Sequence, residues 1–99
     1  MNTKLRVKAF LDTCGHSLDE YGSGERGFTR EDALRFLEVL RESGFRPLGV
    51  DVWRRHGAGL AAEGLDAWYP DGKEEAWTSV AKFLQTTSLG EGELFTIQF

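Results

Sequence analysis

The 99 residues carry 12 basic and 16 acidic side chains, for a net charge of −4, with 40% hydrophobic and 28% charged residues. That length fits one domain spanning residues 1–99 with a single modest core and excludes two; no apolar run approaches the roughly 18 residues of a membrane span. The single cysteine, Cys14, excludes a disulfide framework and a cysteine-rich zinc site, and the acidic balance argues against nonspecific nucleic-acid binding, which depends on a basic surface displacing counterions.

The start, MNTKLRVKAFLDTCGHSLDE, has its apolar positions interrupted by Arg6, Lys8 and Asp12. It lacks the continuous apolar stretch of a secretory signal, so a cytoplasmic protein is expected. Over residues 3–14, Val7, Phe10, Leu11 and Cys14 fall at helical spacing, while Leu5, Val7, Ala9 and Leu11 also alternate as in a strand; a helix is the expected outcome. The glycine-rich GHSLDEYGSGERG has no periodicity and reads as a loop or a short turn of helix. FTREDALRFLEVLRESGF then gives the clearest helix. Thr29 suits the N-cap, Asp32 places negative charge in the first turn, Ala33, Phe36, Leu37 and Leu40 form one apolar stripe, and Gly44 stops the helix.

From Pro47 to Arg54 the chain alternates as a strand, with Leu48, Val50 and Val52 on one face and Gly49, Asp51 and Trp53 on the other. HGAG (56–59) can turn it and residues 60–69 can return as a second strand. Pro70-Asp71-Gly72 is a turn sequence, with Asp71 and Glu74 spaced as an acidic cap for a third helix whose buried stripe is Trp77, Val80, Ala81 and Leu84. Phe95, Ile97 and Phe99 alternate with Thr96 and Gln98 in a C-terminal strand. The order α-α-β-β-α-β predicts an α+β fold, a small antiparallel sheet of about three strands packed against about three helices.

Two triplets repeat one pattern: Asp51-Val52-Trp53 and Asp66-Ala67-Trp68. Side chains two apart in a strand share a face, so each triplet presents its acid with its indole. A four-residue loop pairing Arg55 with Leu60 puts both triplets on one face; an odd-length loop puts them on opposite faces. If they share the face away from the helices, Asp51, Trp53, Asp66 and Trp68 make an acidic-aromatic contact surface, in which aromatic rings supply area and carboxylates set the partner. The competing reading is that both indoles are largely buried and the acids solvate the strand edge.

TREDALRFLEVLRESGFRPLGVDVW, LDAWY and EEAWTSVAKFL together resemble the immunity protein 40 family of bacterial polymorphic-toxin systems, over about residues 17–99. Glu31, Asp32, Ala33 and Leu34 match its helix motif, Pro47, Leu48, Gly49, Asp51 and Val52 its strand motif, and Asp66, Trp68 and Tyr69 its D-N-W-Y-like segment. The chain departs from the pattern at Val50, where a second glycine is usual, at Trp53 in place of tyrosine, and at Ala67 in place of asparagine. The resemblance implies a non-enzymatic, cofactor-free cytoplasmic inhibitor that binds a cognate toxin domain, with Asp51, Trp53, Asp66, Trp68 and Tyr69 as its contact residues. A toxin nuclease with a basic substrate channel would suit an acidic inhibitor. The alternative is a small structural domain that forms a homodimer through the Asp-x-Trp face.

Other chemistry finds less support. Cys14-Gly15-His16 and His56 hold a thiol and two bases but no arrangement that activates a nucleophile, and they do not supply the four ligands of a structural zinc site. YGSGERG has neither a preceding strand nor the Gly-Lys-Ser/Thr of a phosphate loop. Arg54, Arg55 and His56 read as a surface turn or as partners of Glu63.

Overall fold

In the computed structural model, which describes residues 3–62 and 66–99, the elements run α1 (Thr3–Cys14), β1 (His16–Ser17), a short 3-10 helix (Asp19–Tyr21), β2 (Arg26–Gly27), α2 (Arg30–Glu42), β3 (Gly49–His56), β4 (Gly59–Ala62), α3 (Ala76–Thr86) and β5 (Leu94–Gln98). The fold is α+β, as expected. Helix α2 forms as its sequence dictates: Thr29 Oγ1 accepts the Asp32 amide at 3.3 Å. At the other end Gly44 adopts φ +79°, the left-handed conformation that glycine enters without a side-chain penalty. There the Phe45 amide reaches the Leu40 carbonyl at 3.0 Å and the Gly44 amide reaches Arg41 at 3.3 Å, satisfying carbonyls the helix leaves open.

Helix α3 starts differently from the expectation. Its N-cap is Glu75, not Asp71 or Glu74: the Glu75 carboxylate accepts the Trp77 and Thr78 amides at 3.1 and 2.8 Å. Asp71 is occupied by its own turn, where it accepts the Lys73 amide at 2.9 Å.

The main sheet has the order β4-β3-β5, antiparallel throughout. Its β5 edge is closed by Phe28, which exchanges both backbone hydrogen bonds with Phe95 at 2.7 and 2.8 Å. The segment read as a loop or helical turn thus holds the β1–β2 hairpin and the 3-10 helix, and Phe28, which follows it, covers part of an edge that would otherwise present unpaired amides. The helices pack on one face of the sheet. Ala33, Phe36, Leu37 and Leu40 of α2 join Val7 of α1, Val80 and Leu84 of α3, and Val50, Val52, Phe95 and Ile97 of the strands in one core. Phe36 stacks on Phe28 and Phe10 at centroid distances of 5.0 and 5.3 Å. Leu48, expected on this face, lies beyond the core and is 58% exposed.

The hairpin register decides the fate of the triplets. Arg55 pairs with Leu60 and Trp53 with Ala62, as a four-residue HGAG loop predicts. The expected second strand, residues 60–69, does not run through, however: β4 ends at Ala62, residues 63–65 lie outside the described residues, and neither Asp66 nor Ala67 is in a strand. Continued register would set Trp68 opposite Pro47. Instead Trp68 exchanges backbone hydrogen bonds with Val50 at 2.8 and 2.9 Å, an odd displacement that inverts the alternation and turns its side chain to the helix side. Trp68 is therefore in the core, 8% exposed, with its indole N–H donated to Ser79 Oγ at 2.9 Å. Trp53 is equally buried on the opposite face, donating to Thr96 Oγ1 at 3.1 Å. The expectation that Asp51, Trp53, Asp66 and Trp68 line one exposed face is corrected: the indoles are on opposite faces and both are buried.

Among the described residues, no helix is long and apolar enough to cross a membrane.

Candidate functional site

The face of the sheet turned away from the helices is built from alternate residues of β3 and β5. Gly49 pairs with Gln98 and Asp51 with Thr96, so Gly49, Asp51, Thr96 and Gln98 share it. Glu25, in the connection leading into β2, reaches the same place: Gln98 Nε2 donates to Glu25 Oε1 at 2.8 Å and to Asp51 Oδ2 at 3.4 Å. One neutral amide thereby holds two carboxylates together. The loop carrying Glu25 is set by Ser23, whose hydroxyl accepts the Glu25 amide at 3.1 Å.

Tyr69 completes the patch from the far side of Gly49. A Cβ on residue 49 would stand 2.8 Å from Gln98 Oε1 and 3.0 Å from Cε1 of the Tyr69 ring, closer than packed atoms approach. Glycine is needed here for the approach of these two side chains, a physical reason for the Gly of the Pro47-Leu48-Gly49 motif. Tyr69 remains 63% exposed. Its ring offers contact area of the kind that anchors protein interfaces.

Burial at the sheet surface pushes the Asp51 carboxyl above its ordinary range, the charge of Glu25 pushes the same way, and the Gln98 hydrogen bond opposes both. A raised carboxyl binds its proton more tightly in the folded than in the unfolded chain. Stability therefore falls as pH rises from the unfolded value, about 4, through the folded one, and the deficit is fully present above it. Asp51→Asn keeps an acceptor for Gln98 and removes that deficit. We expect its urea midpoint at pH 7 to equal or slightly exceed that of the wild type, within about 0.5 kcal/mol, with the difference vanishing near pH 3; a variant clearly less stable at pH 7 would contradict this.

Of the five residues expected from the sequence, Asp51 and Tyr69 meet around Gly49 and Gln98, Trp53 lies buried along the same strand face, and Trp68 belongs to the core. Asp66 points elsewhere. It accepts from Arg54 Nε at 2.6 Å, while Arg54 Nη1 reaches Glu93 Oε1 at 3.2 Å and the Ser88 carbonyl at 3.1 Å. The Arg55 amide and guanidinium bind Glu93 and the Glu91 carbonyl, each at 2.8 Å, so the basic pair ties the hairpin to the approach to β5; Glu63, the expected partner, lies outside the described residues.

Compared with protein-family models, curated proteins and solved structures, the chain gives no match.

Glu25 and Gln98 are the patch residues that sequence reasoning missed. Gln98 had a readable signal, since alternation with Phe95 and Ile97 places it opposite the core; Glu25 had none, lying in a segment without periodicity. Among the described residues, no group of three or more His, Cys, Asp or Glu is placed to hold a metal. Cys14 is half-buried with its sulfur 3.6 Å from Thr13 Oγ1, and His16 and His56 are exposed.

Proposed function

We propose that this protein is an immunity-type inhibitor that binds a cognate bacterial toxin domain and neutralises it by covering a basic surface. The observation that carries the reading is the patch of Glu25, Asp51 and Tyr69 gathered around Gln98: two carboxylates beside an exposed aromatic ring, the combination that sets orientation and supplies contact area at an interface. The resemblance to the immunity protein 40 family and the net charge of −4 support it. The homodimer alternative needs exposed indoles on one face, and the burial of Trp53 and Trp68 gives it no such surface.

The test is co-purification of the tagged protein with the toxin domain encoded immediately upstream, followed by titration calorimetry. The wild type is expected to capture the domain, and Tyr69→Ala to weaken binding about 30-fold, equivalent to about 2 kcal/mol for an aromatic anchor. Failure of the wild type to capture it would overturn the inhibitor reading; undiminished capture by both Tyr69→Ala and Asp51→Asn would remove this patch from it.

A further inference from the structure

Next to the patch a cleft of about 340 Å³ opens between residues 24–26 and the end of β5, lined by Leu11, Glu25, Phe28, Ile97, Gln98 and Phe99. Its volume is at the bottom of the range for ligand pockets, enough for one long side chain. The apolar wall is firm: Phe28 and Ile97 are buried, and Phe99, 41% exposed, is held edge-on by Phe36 and Phe45 at 5.5 and 5.6 Å. Arg26 also borders the cleft, but its guanidinium is committed to the carbonyls of Leu11 at 3.1 Å and Gly15 at 2.8 Å, at the C-terminal end of α1.

The carboxylate that lines the cleft is Glu25, and Asp51 stands beside it, outside the lining, across Gln98. Glu25 and Asp51 both reach Gln98 Nε2, so one planar group can span them. The second oxygen of Glu25 accepts no hydrogen bond among the described residues.

Resting on the inhibitor reading, we infer that this cleft receives an arginine side chain of the basic partner, its stem against Leu11, Ile97 and Phe99 and its guanidinium facing Glu25 and Asp51. Arginine fits better than lysine on two counts. Its fork of five donors matches several acceptors at fixed spacing, whereas an ammonium is a single point charge, and its weakly hydrated plane lies readily along an exposed phenylalanine ring.

The whole protein, labelled with ¹⁵N, is titrated with the capped tripeptide Gly-Arg-Gly and with its lysine and citrulline counterparts. Saturable shifts at Leu11, Glu25, Ile97, Gln98 and Phe99 are expected with arginine, at least tenfold weaker with lysine, absent with citrulline, and lost in Glu25→Gln. No saturable response to the arginine peptide, or an equal response to citrulline, would overturn the assignment; an equal response to lysine would overturn the choice of arginine. Because no toxin domain enters this titration, its failure leaves the capture experiment standing, and a negative capture beside a positive titration removes the inhibitor reading while keeping the cleft.

Discussion

Trp68→Ala is expected to lower the unfolding free energy by about 3–5 kcal/mol, the cost of truncating a large aromatic in a packed core. In a domain of this size that corresponds to a fall in Tm of about 15 °C or more, a large share of the 5–15 kcal/mol that usually holds a domain together. Trp68 is the side chain that fills the helix side of β3 next to Val50, and its burial leaves no room for a solvent-facing role. Trp68→Phe separates the two contributions. It keeps most of the ring volume but strands Ser79, whose hydroxyl accepts the indole N–H at 2.9 Å, and should cost only about 1 kcal/mol beyond repacking. Urea denaturation followed by circular dichroism measures both. A Trp68→Ala variant that loses less than about 1 kcal/mol would mean that the indole does not occupy the core as described. The expected result also governs how binding data are read, because loss of toxin capture in Trp68→Ala reports unfolding before it reports contact.

How much of this was legible follows from what each signal encodes. The capping threonine, the apolar stripe of α2 and the stop at Gly44 act locally, within a turn or two, and these are the features that a sequence displays directly. The alternation of β3 and β5 was legible for the same reason. What failed was the projection of one register through residues 60–69: alternation states which residues share a face only while one register holds, and the pairing of Val50 with Trp68 has the opposite parity to that of Trp53 with Ala62. The β1–β2 hairpin was invisible because two-residue strands carry no period; it pairs His16 with Gly27 and Ser17 with Arg26, next to the bridge from Phe28 to Phe95. The site divides along the same line. Asp51 could be placed from strand alternation and Tyr69 singled out from the D-N-W-Y-like segment, but their companion Glu25 is brought to Gln98 across 73 positions of sequence, a meeting that only the assembled sheet produces.

Arg54 and Asp66 supply the second large effect and decide the role of a residue that the sequence placed in the contact surface. The Arg54 side chain, 25% exposed, bridges Asp66, 40% exposed, to Glu93, 12% exposed, and also holds the Ser88 carbonyl, so three separate stretches of chain meet on one guanidinium. Arg54→Ala is expected to cost about 1–2 kcal/mol, since it strands several acceptors and removes an apolar stem, with solvent screening holding it below the cost of a buried pair. Asp66→Ala should cost about half as much, and the double mutant should recover a coupling of about 0.5–1 kcal/mol. Glu93 gives an independent check through pH. The Gly90 and Arg55 amides hold its carboxyl below the ordinary range, with the Arg54 charge adding to them. The stability this confers is present above the unfolded carboxylate value and is lost as pH falls through the lowered folded one. Glu93→Gln should therefore flatten the acid limb of the stability curve, whereas Arg54→Ala, which leaves both amides in place, should retain most of its slope. If Asp66→Ala instead leaves stability unchanged and abolishes capture of the toxin domain, Asp66 is a contact and its ion pair with Arg54 is dispensable; measurable coupling with undiminished capture makes it the clamp that carries the chain from β4 towards Trp68 and the exposed Tyr69.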